Sequence, residues 1–147
     1  MKIDKLNLAI IRHLRDGRKS FNKIAEELDI TENTVRARVN RLTEEGVLSI
    51  VGTVNPDLIP NHNVIYVGIK LKSRELVPKG EEFSMLRGVI SASIVTGRYD
   101  IILLVMLKKD FTLLDFLANE IDKVSDIQTV ETFVVYKNFN QQIPYIF

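Results

Sequence analysis

Asn33, Thr34, Arg36, Arg38, Asn40 and Arg41 fall within nine residues that contain no acid. Arginine grips guanine through two hydrogen bonds and asparagine does the same for adenine, so this set has the chemistry to read base edges. Its spacing says as much as its composition. Val35, Val39 and Leu42 recur at i, i+4 and i+7, the apolar spine of a helix, while the polar residues take the other faces. Thr34, Arg36 and Arg38 are the expected base contacts, with Asn33 beside them and Arg41 on phosphate. Arg18, Lys19 and Lys23 cluster at the start of the preceding helical pattern, where phosphate contacts are expected. Taken alone, such arginines more often form a solvated helix face. The order of the surrounding elements weighs against that plainer reading.

Phe21, Ile24, Ala25 and Leu28 form one apolar helical face, and Asp29-Ile30-Thr31 interrupts the period before the basic helix resumes it. Thr31 is a suitable N-cap, although Thr34 stands where a full capping box would have Glu or Gln. Helix, tight turn and helix make a helix-turn-helix, whose second helix enters the DNA major groove. Ile3, Leu6, Ile10 and Leu14 predict a bracing first helix that stops at Asp16-Gly17, with the glycine in a left-handed cap. Gly46 is a plausible stop for the third helix. Val47 to Val54 reads as a strand or small wing closing at Asn55-Pro56. Residues 1–54 are therefore expected to form a winged helix-turn-helix domain whose partner is double-stranded DNA.

Composition sets limits around this reading. A chain of 147 residues has room for two small domains, and its net charge is only +1. Residues 1–55 carry ten Lys/Arg and eight Asp/Glu, whereas residues 56–147 carry ten and eleven, so the first part is slightly basic. Cysteine is absent, which removes disulfides and thiolate metal sites. His13 and His62 match no metal-ligand spacing, and no nucleophile–base pair or paired carboxylates stand out. No cofactor, metal or catalytic residue is expected. The longest apolar run, Ile101 to Leu107, is far short of the roughly 20 residues that span a bilayer. With no signal-peptide pattern at the N-terminus, a cytoplasmic location without a membrane partner is expected.

The stretch 55–63, with two prolines and three asparagines, reads as a linker. Beyond it the period changes from helical to alternating. Val64 to Leu71 predicts a strand with Val67, Ile69 and Leu71 on one side, and a short helix is expected around Glu81 to Arg87. Val89 to Thr96 predicts a strand with Ile90, Ala92 and Ile94 facing one way. Thr96-Gly97-Arg98-Tyr99-Asp100 is a turn, and Ile101 to Leu107 a central strand. Asp110 to Val124 is amphipathic, with Phe111, Leu114, Leu117, Ala118, Ile121 and Val124 inward, and Val130 to Val135 is the last strand. Strand, helix, strand, strand, helix, strand is the ferredoxin-like βαββαβ order, which places an α+β domain at residues 64–136. Two helices cover one face of such a sheet. Tyr66, Val95 and Phe133 suggest that the other face packs against a second copy. Residues 137–147 form a tail rich in apolar residues, which either docks on a neighbouring subunit or frays.

A helix-turn-helix unit followed by a βαββαβ domain resembles the Lrp/AsnC (feast/famine) transcriptional regulators over nearly the whole chain. The N-terminal resemblance runs through Asp16-Gly17-Arg18, Ile24-Ala25, Thr34-Val35, Arg38-Val39, Arg41-Leu42 and Gly46-Val47-Leu48. The C-terminal resemblance centres on Val95 to Ile102, similar to the family's signature loop between its second and third strands. Asn7, where the family commonly has an acid, and Ile59-Pro60, where Leu-Gly is usual, depart from the pattern.

The resemblance implies a sequence-specific transcriptional regulator that forms a homodimer, assembled further into a tetramer or octamer. It also implies a small-molecule effector, an amino acid or related metabolite, bound where C-terminal domains meet. Gly97, Arg98, Tyr99 and Asp100 would line the pocket. Gly97 would allow close backbone approach, Asp100 would pair with an α-ammonium group and Arg98 would hold a carboxylate. Thr132 matches a threonine on the last strand that faces the same pocket. The alternative for the loop is a tight hairpin in which Asp100 bonds its own backbone and Tyr99 packs. For the whole chain the alternatives are an architectural DNA-binding protein without an effector and an enzyme resembling siroheme decarboxylases, whose loops are richer in His than this Gly-Arg-Tyr-Asp.

Overall fold

The computed structural model describes residues 3–147 and divides the chain into two compact units, one ending at Val51 and one starting at Gly52. In the first unit, helices α1 (Lys5–His13), α2 (Phe21–Leu28) and α3 (Glu32–Glu44) each begin at a side-chain cap: Asp4, Ser20 and Thr31 accept from the N–H three residues on. Ile10, Ile24, Ala25, Val35 and Val39 form the core of this unit, with Leu6, Leu14, Phe21, Leu28, Ile30 and Leu48 packed around them. The expected apolar spines are thus the buried faces, except that Ile3, expected at the head of the first, lies before α1 and is exposed. The expected helix stops are only partly right. Helix α1 ends at His13 with Leu14 as its C-cap, before Gly17, which does not take a positive φ; Asp29 supplies the left-handed cap of α2, at φ 53°. A continuous strand over 47–54 does not form. Only β1 (Thr53–Val54) is a strand, and it pairs with β6 (Ile143–Pro144) near the other end of the chain. The stretch lacks a local hairpin partner, so its β-branched residues wait for one that is distant in sequence.

The second unit is built on a four-stranded antiparallel sheet in the order β3-β4-β2-β5, from β2 (His62–Leu71), β3 (Val89–Ile94), β4 (Ile101–Lys108) and β5 (Ile127–Val134). Helical segments lie at α4 (Leu76–Ser84) and α5 (Leu113–Asp115), the latter running on as a π-helix (Phe116–Glu120) and a 3-10 turn (Ile121–Lys123). Ile65, Val67, Ile69 and Leu71 of β2 and Ile101, Leu103, Val105 and Leu107 of β4 face the helices and pack with Phe83, Phe111 and Phe116. This is the expected βαββαβ order.

Several local expectations are corrected. Helix α4 starts at Leu76, earlier than expected, because Pro78 falls in the first turn, where a missing N–H costs nothing. A bulge between Val89 and Ser91 moves Ile90 out of register with Ala92 and Ile94, and it packs with Val64, Met106 and Leu104 on the other face. The π-helix shifts the inward stripe, leaving Leu114 and Ala118 exposed and burying Phe116 and Glu120.

The proline-rich stretch and the tail are both ordered parts of the second unit. Pro56–Leu58 is a 3-10 turn capped by Asn55, and β2 already starts at His62. Asp57 accepts from Asn138 N–H at 3.0 Å and pairs with Lys137 at 3.3 Å. Ile143 is buried against Val64 and Met106, and Phe147 packs on Phe111. The tail docks on its own unit, which gives its apolar residues a surface close at hand.

Candidate nucleic-acid interface and effector loop

Helix α3 buries Val35, Val39 and Leu42, so the residues left outside follow from helical geometry: Asn33, Arg36, Ala37, Asn40, Arg41 and Glu44 are exposed at i, i+3, i+4, i+7, i+8 and i+11. Asn33 is exposed in the first turn. Thr34 is drawn into the cap, its N–H donating to Thr31 Oγ1 at 3.2 Å and its hydroxyl lying 2.9 Å from the same atom. Arg36 pairs with Glu32 one turn back and lies over the Phe21 ring at 5.4 Å. Arg41 pairs with Glu45 at 3.0 Å. Exposed i,i+4 pairs of this kind are weak and screened by solvent, so either arginine can exchange its carboxylate for DNA at little cost.

Arg38 is placed differently. Its guanidinium donates to Asp4 and, at 3.0 Å, to Oδ1 of the buried Asn7, tying α3 to α1. The Arg38 hydrogen bond, joined by the Asn7 N–H, holds the Asp4 carboxyl below its ordinary range. Asp4 provides the carboxylate for Arg38 from the cap position while Asn7 provides a neutral acceptor. At α2, Lys19 pairs with Glu27 and lies 2.9 Å from His13 Nδ1, Lys23 lies 3.8 Å from Glu26, and Arg18 is exposed with no ion pair among the described residues.

The loop from Thr96 to Asp100 joins β3 to β4. Gly97, at φ 115°, turns the chain where a side chain would be strained. Asp100 is committed to its own unit: Oδ2 accepts the Leu71 N–H and Oδ1 accepts Lys70 Nζ, both at 2.8 Å. These bonds, the Leu71 N–H foremost, hold its carboxyl below the ordinary value. The Asp100 N–H in turn donates to Ile69 O at 2.9 Å.

Tyr99 lies flat on β2 at Gly68, where a Cβ would come within 2.7 Å of the ring, and meets Phe133 edge-on at 6.0 Å. Its hydroxyl donates to Glu131, which raises the phenol's pKa. Arg98 also reaches Glu131, at 3.0 Å, and remains 76% exposed. Thr132 pairs with Val67 on the helix-covered face, so it is directed away from Tyr99; Glu131, paired with Gly68, is the β5 residue that shares the Tyr99 face. Glu131, Gly68 and Lys70 were not singled out in the sequence. Strand alternation on β5 would have put Glu131 and Thr132 on opposite faces, but no local signal told which face the loop would fold over.

Residues 3–49 match the winged helix-turn-helix DNA-binding family, and residues 64–144 match the Lrp/AsnC ligand binding domain. Over 139 residues the chain is 31% identical to the HTH-type transcriptional regulator Ptr1 of Methanocaldococcus jannaschii, covering 93% of this chain and 94% of that protein. It is 27% identical to the regulatory protein AsnC of Escherichia coli over 139 residues, 92% and 91% of the two chains. The solved structure of E. coli AsnC superposes with a TM-score of 0.70, covering 94% of this chain and 95% of the other at 26% identity. A Neisseria meningitidis transcriptional regulator solved as a complex with L-Met shares the fold, at a TM-score of 0.72 and 15% identity over 99% and 97% of the two chains.

Proposed function

The chain belongs to the Lrp/AsnC family and is a DNA-binding transcriptional regulator, and from that premise we propose which of its residues read DNA and which sense an effector. The observation that carries the first part is the exposed stripe of α3. Asn33, Arg36, Ala37 and Asn40 are the base-reading face, Arg36 suited to guanine, the asparagines to adenine and the Ala37 methyl to thymine. Arg41, Lys23 of α2, and Arg18 and Lys19 just before that helix bind phosphate. Arg38 braces α3 against α1 and acts on DNA through the position of that helix.

The effector is an α-amino acid or a close relative, a reading supported by the ligand-binding family match and by the L-Met in the N. meningitidis structure. Arg98 and Glu131, 3.0 Å apart on the exposed side of the loop, present the two opposite charges that a zwitterion needs. The effector's carboxylate takes Arg98 and its ammonium takes Glu131. Asp100, already holding Leu71 and Lys70, keeps the loop in place. Homo-oligomers bring two such loops and two α3 helices together, and the protein acts by binding rather than by catalysis, in keeping with relatives named as regulators.

The test is a fluorescence anisotropy titration of the full chain against DNA from upstream of its own gene, with random duplex as competitor and each common L-amino acid added in turn. Tight binding that survives competitor, with one or a few amino acids shifting the affinity, is the expected result. Glu131→Gln should abolish that shift and leave basal binding intact. Equal displacement by random DNA would favour an architectural protein, and retention of the shift in Glu131→Gln would place the effector elsewhere.

A further inference from the structure

The arginines of α3 contribute little free positive charge. Arg36, Arg38 and Arg41 are each paired, with Glu32, Asp4 and Glu45. The unit's unpaired guanidinium groups lie elsewhere. Arg12, Arg15 and Arg18 have no ion pair among the described residues, and all are exposed. Arg12 is in the last turn of α1, and Arg15 follows three residues later, its N–H donating to Arg12 O at 3.4 Å. Both line a surface groove of about 580 Å³ between the end of α1 and α2, together with His13, Lys19 and Lys23.

The two acids of this groove are already engaged. Glu27 is paired with Lys19, and the Asp16 carboxylate accepts the Arg18 N–H at 3.2 Å. The groove is an open, shallow surface with four cationic side chains against two carboxylates, and its two arginines have no ion pair among the described residues. Cations at the end of a helix favour its dipole, but that effect fades within the last turn and does not call for two arginines over a groove shared with α2.

We propose that Arg12 and Arg15 seat a phosphate of the DNA backbone, extending the contact strip of Arg18, Lys19 and Lys23 onto the end of α1. The ligand is the phosphodiester of the DNA that α3 reads, and the inference rests on the reading of the chain as a DNA-binding regulator. Guanidinium forks suit phosphate oxygens, and contacts of this kind position the protein without sensing sequence. Arg12 and Arg15 therefore add affinity and salt dependence equally on every sequence. Arg36 adds discrimination.

The experiment is a sodium chloride titration of duplex binding by the full chain, on the upstream fragment and on random duplex. Wild type is compared with Arg12→Gln/Arg15→Gln and with Arg12→Lys/Arg15→Lys, after thermal unfolding has shown that all three fold. The glutamine pair should flatten the slope of log affinity against log salt by roughly 0.9 for each phosphate no longer neutralised. It should weaken both duplexes by the same factor, while the lysine pair keeps most of the wild-type slope. An unchanged slope in the glutamine pair, with wild type binding normally, would overturn the proposal while leaving the assignment of α3 untouched. So would a change in the ratio of specific to random affinity, which would put these arginines on bases. An equal loss in the lysine pair would mean that packing, not charge, had been removed, and would overturn the proposal as well. No binding of either duplex by wild type would overturn the DNA reading itself, and the proposal with it.

Discussion

Two carboxylates with the right chemistry for ligands, Asp4 and Asp100, are used inside the protein, and both are held below their ordinary pKa by the groups they bind. For Asp100 those groups are the Leu71 N–H first and Lys70 second. A folded-state pKa lower than the unfolded one adds stability above the unfolded pKa, and that stability is lost as the pH falls through the folded value. The melting temperature of wild type should therefore exceed that of Asp100→Asn near neutral pH, with the gap closing below about pH 4. A gap that stays constant through about pH 3 would show that the carboxylate's charge has no part in the latch. Arg36 and Arg38 separate in the same manner. Arg36→Ala should cost about 1–3 kcal/mol of binding to the specific site and blur one base position, with the melting temperature unchanged. Arg38→Ala leaves the buried Asn7 without its partner, which costs about 1–3 kcal/mol of stability. Paired binding and melting curves on the two variants check this. The sequence placed both residues on one basic helix. It could not tell them apart, because the partners of Arg38 lie at the start of another helix, Asp4 at its cap 34 positions away and Asn7 in its first turn 31 away.

At the level of elements, local periodicity was a good guide wherever an element had one buried face and uniform geometry. The three helices of the first unit and the inward residues of β2 and β4 follow the spacing of their apolar residues directly. The guide failed where geometry departs from the regular period. The segment from Leu113 to Lys123 changes from α to π to 3-10, so a stripe drawn at about 3.6 residues per turn drifts off the buried face and misses Phe116. Phe116 is fully buried and meets Phe111 edge-on at 6.3 Å. Phe116→Ala should cost about 3–5 kcal/mol in chemical denaturation, well above Leu114→Ala on the exposed side of the same segment. Comparable costs for the two would restore the regular helix. The loop from Thr96 to Asp100 fails to be legible for a different reason. Its motif announces a turn, but the seat of Tyr99 exists because Gly68, on another strand, has no side chain. Gly68→Ala should push the ring off β2 and weaken the effector response while DNA binding persists, as the same anisotropy titration would reveal.

For the whole molecule, what remains is the sheet face opposite the helices. The tail covers part of it through Ile143, and Tyr99 covers Gly68. Tyr66 and Phe133, a cross-strand pair on that face, stay 38% and 44% exposed, with Ile102 of β4 half-buried on the same side. Aromatic side chains bury large areas when they meet a partner, and a second copy of this face would supply identical chemistry in a two-fold arrangement. A chain with a net charge of +1 has little bulk attraction for DNA, so two linked α3 helices would raise its affinity through effective concentration rather than through new contacts. Tyr66→Arg/Phe133→Arg places four like charges on the contact if two copies meet there. Light scattering should then find a smaller species than wild type. The affinity for a two-half-site operator should fall by at least about tenfold, while affinity for a single half-site stays the same. If the variant keeps the wild-type mass, copies associate through another surface. If its mass drops but operator affinity is kept, one protomer binds alone and the gain from pairing is not what makes this regulator grip DNA.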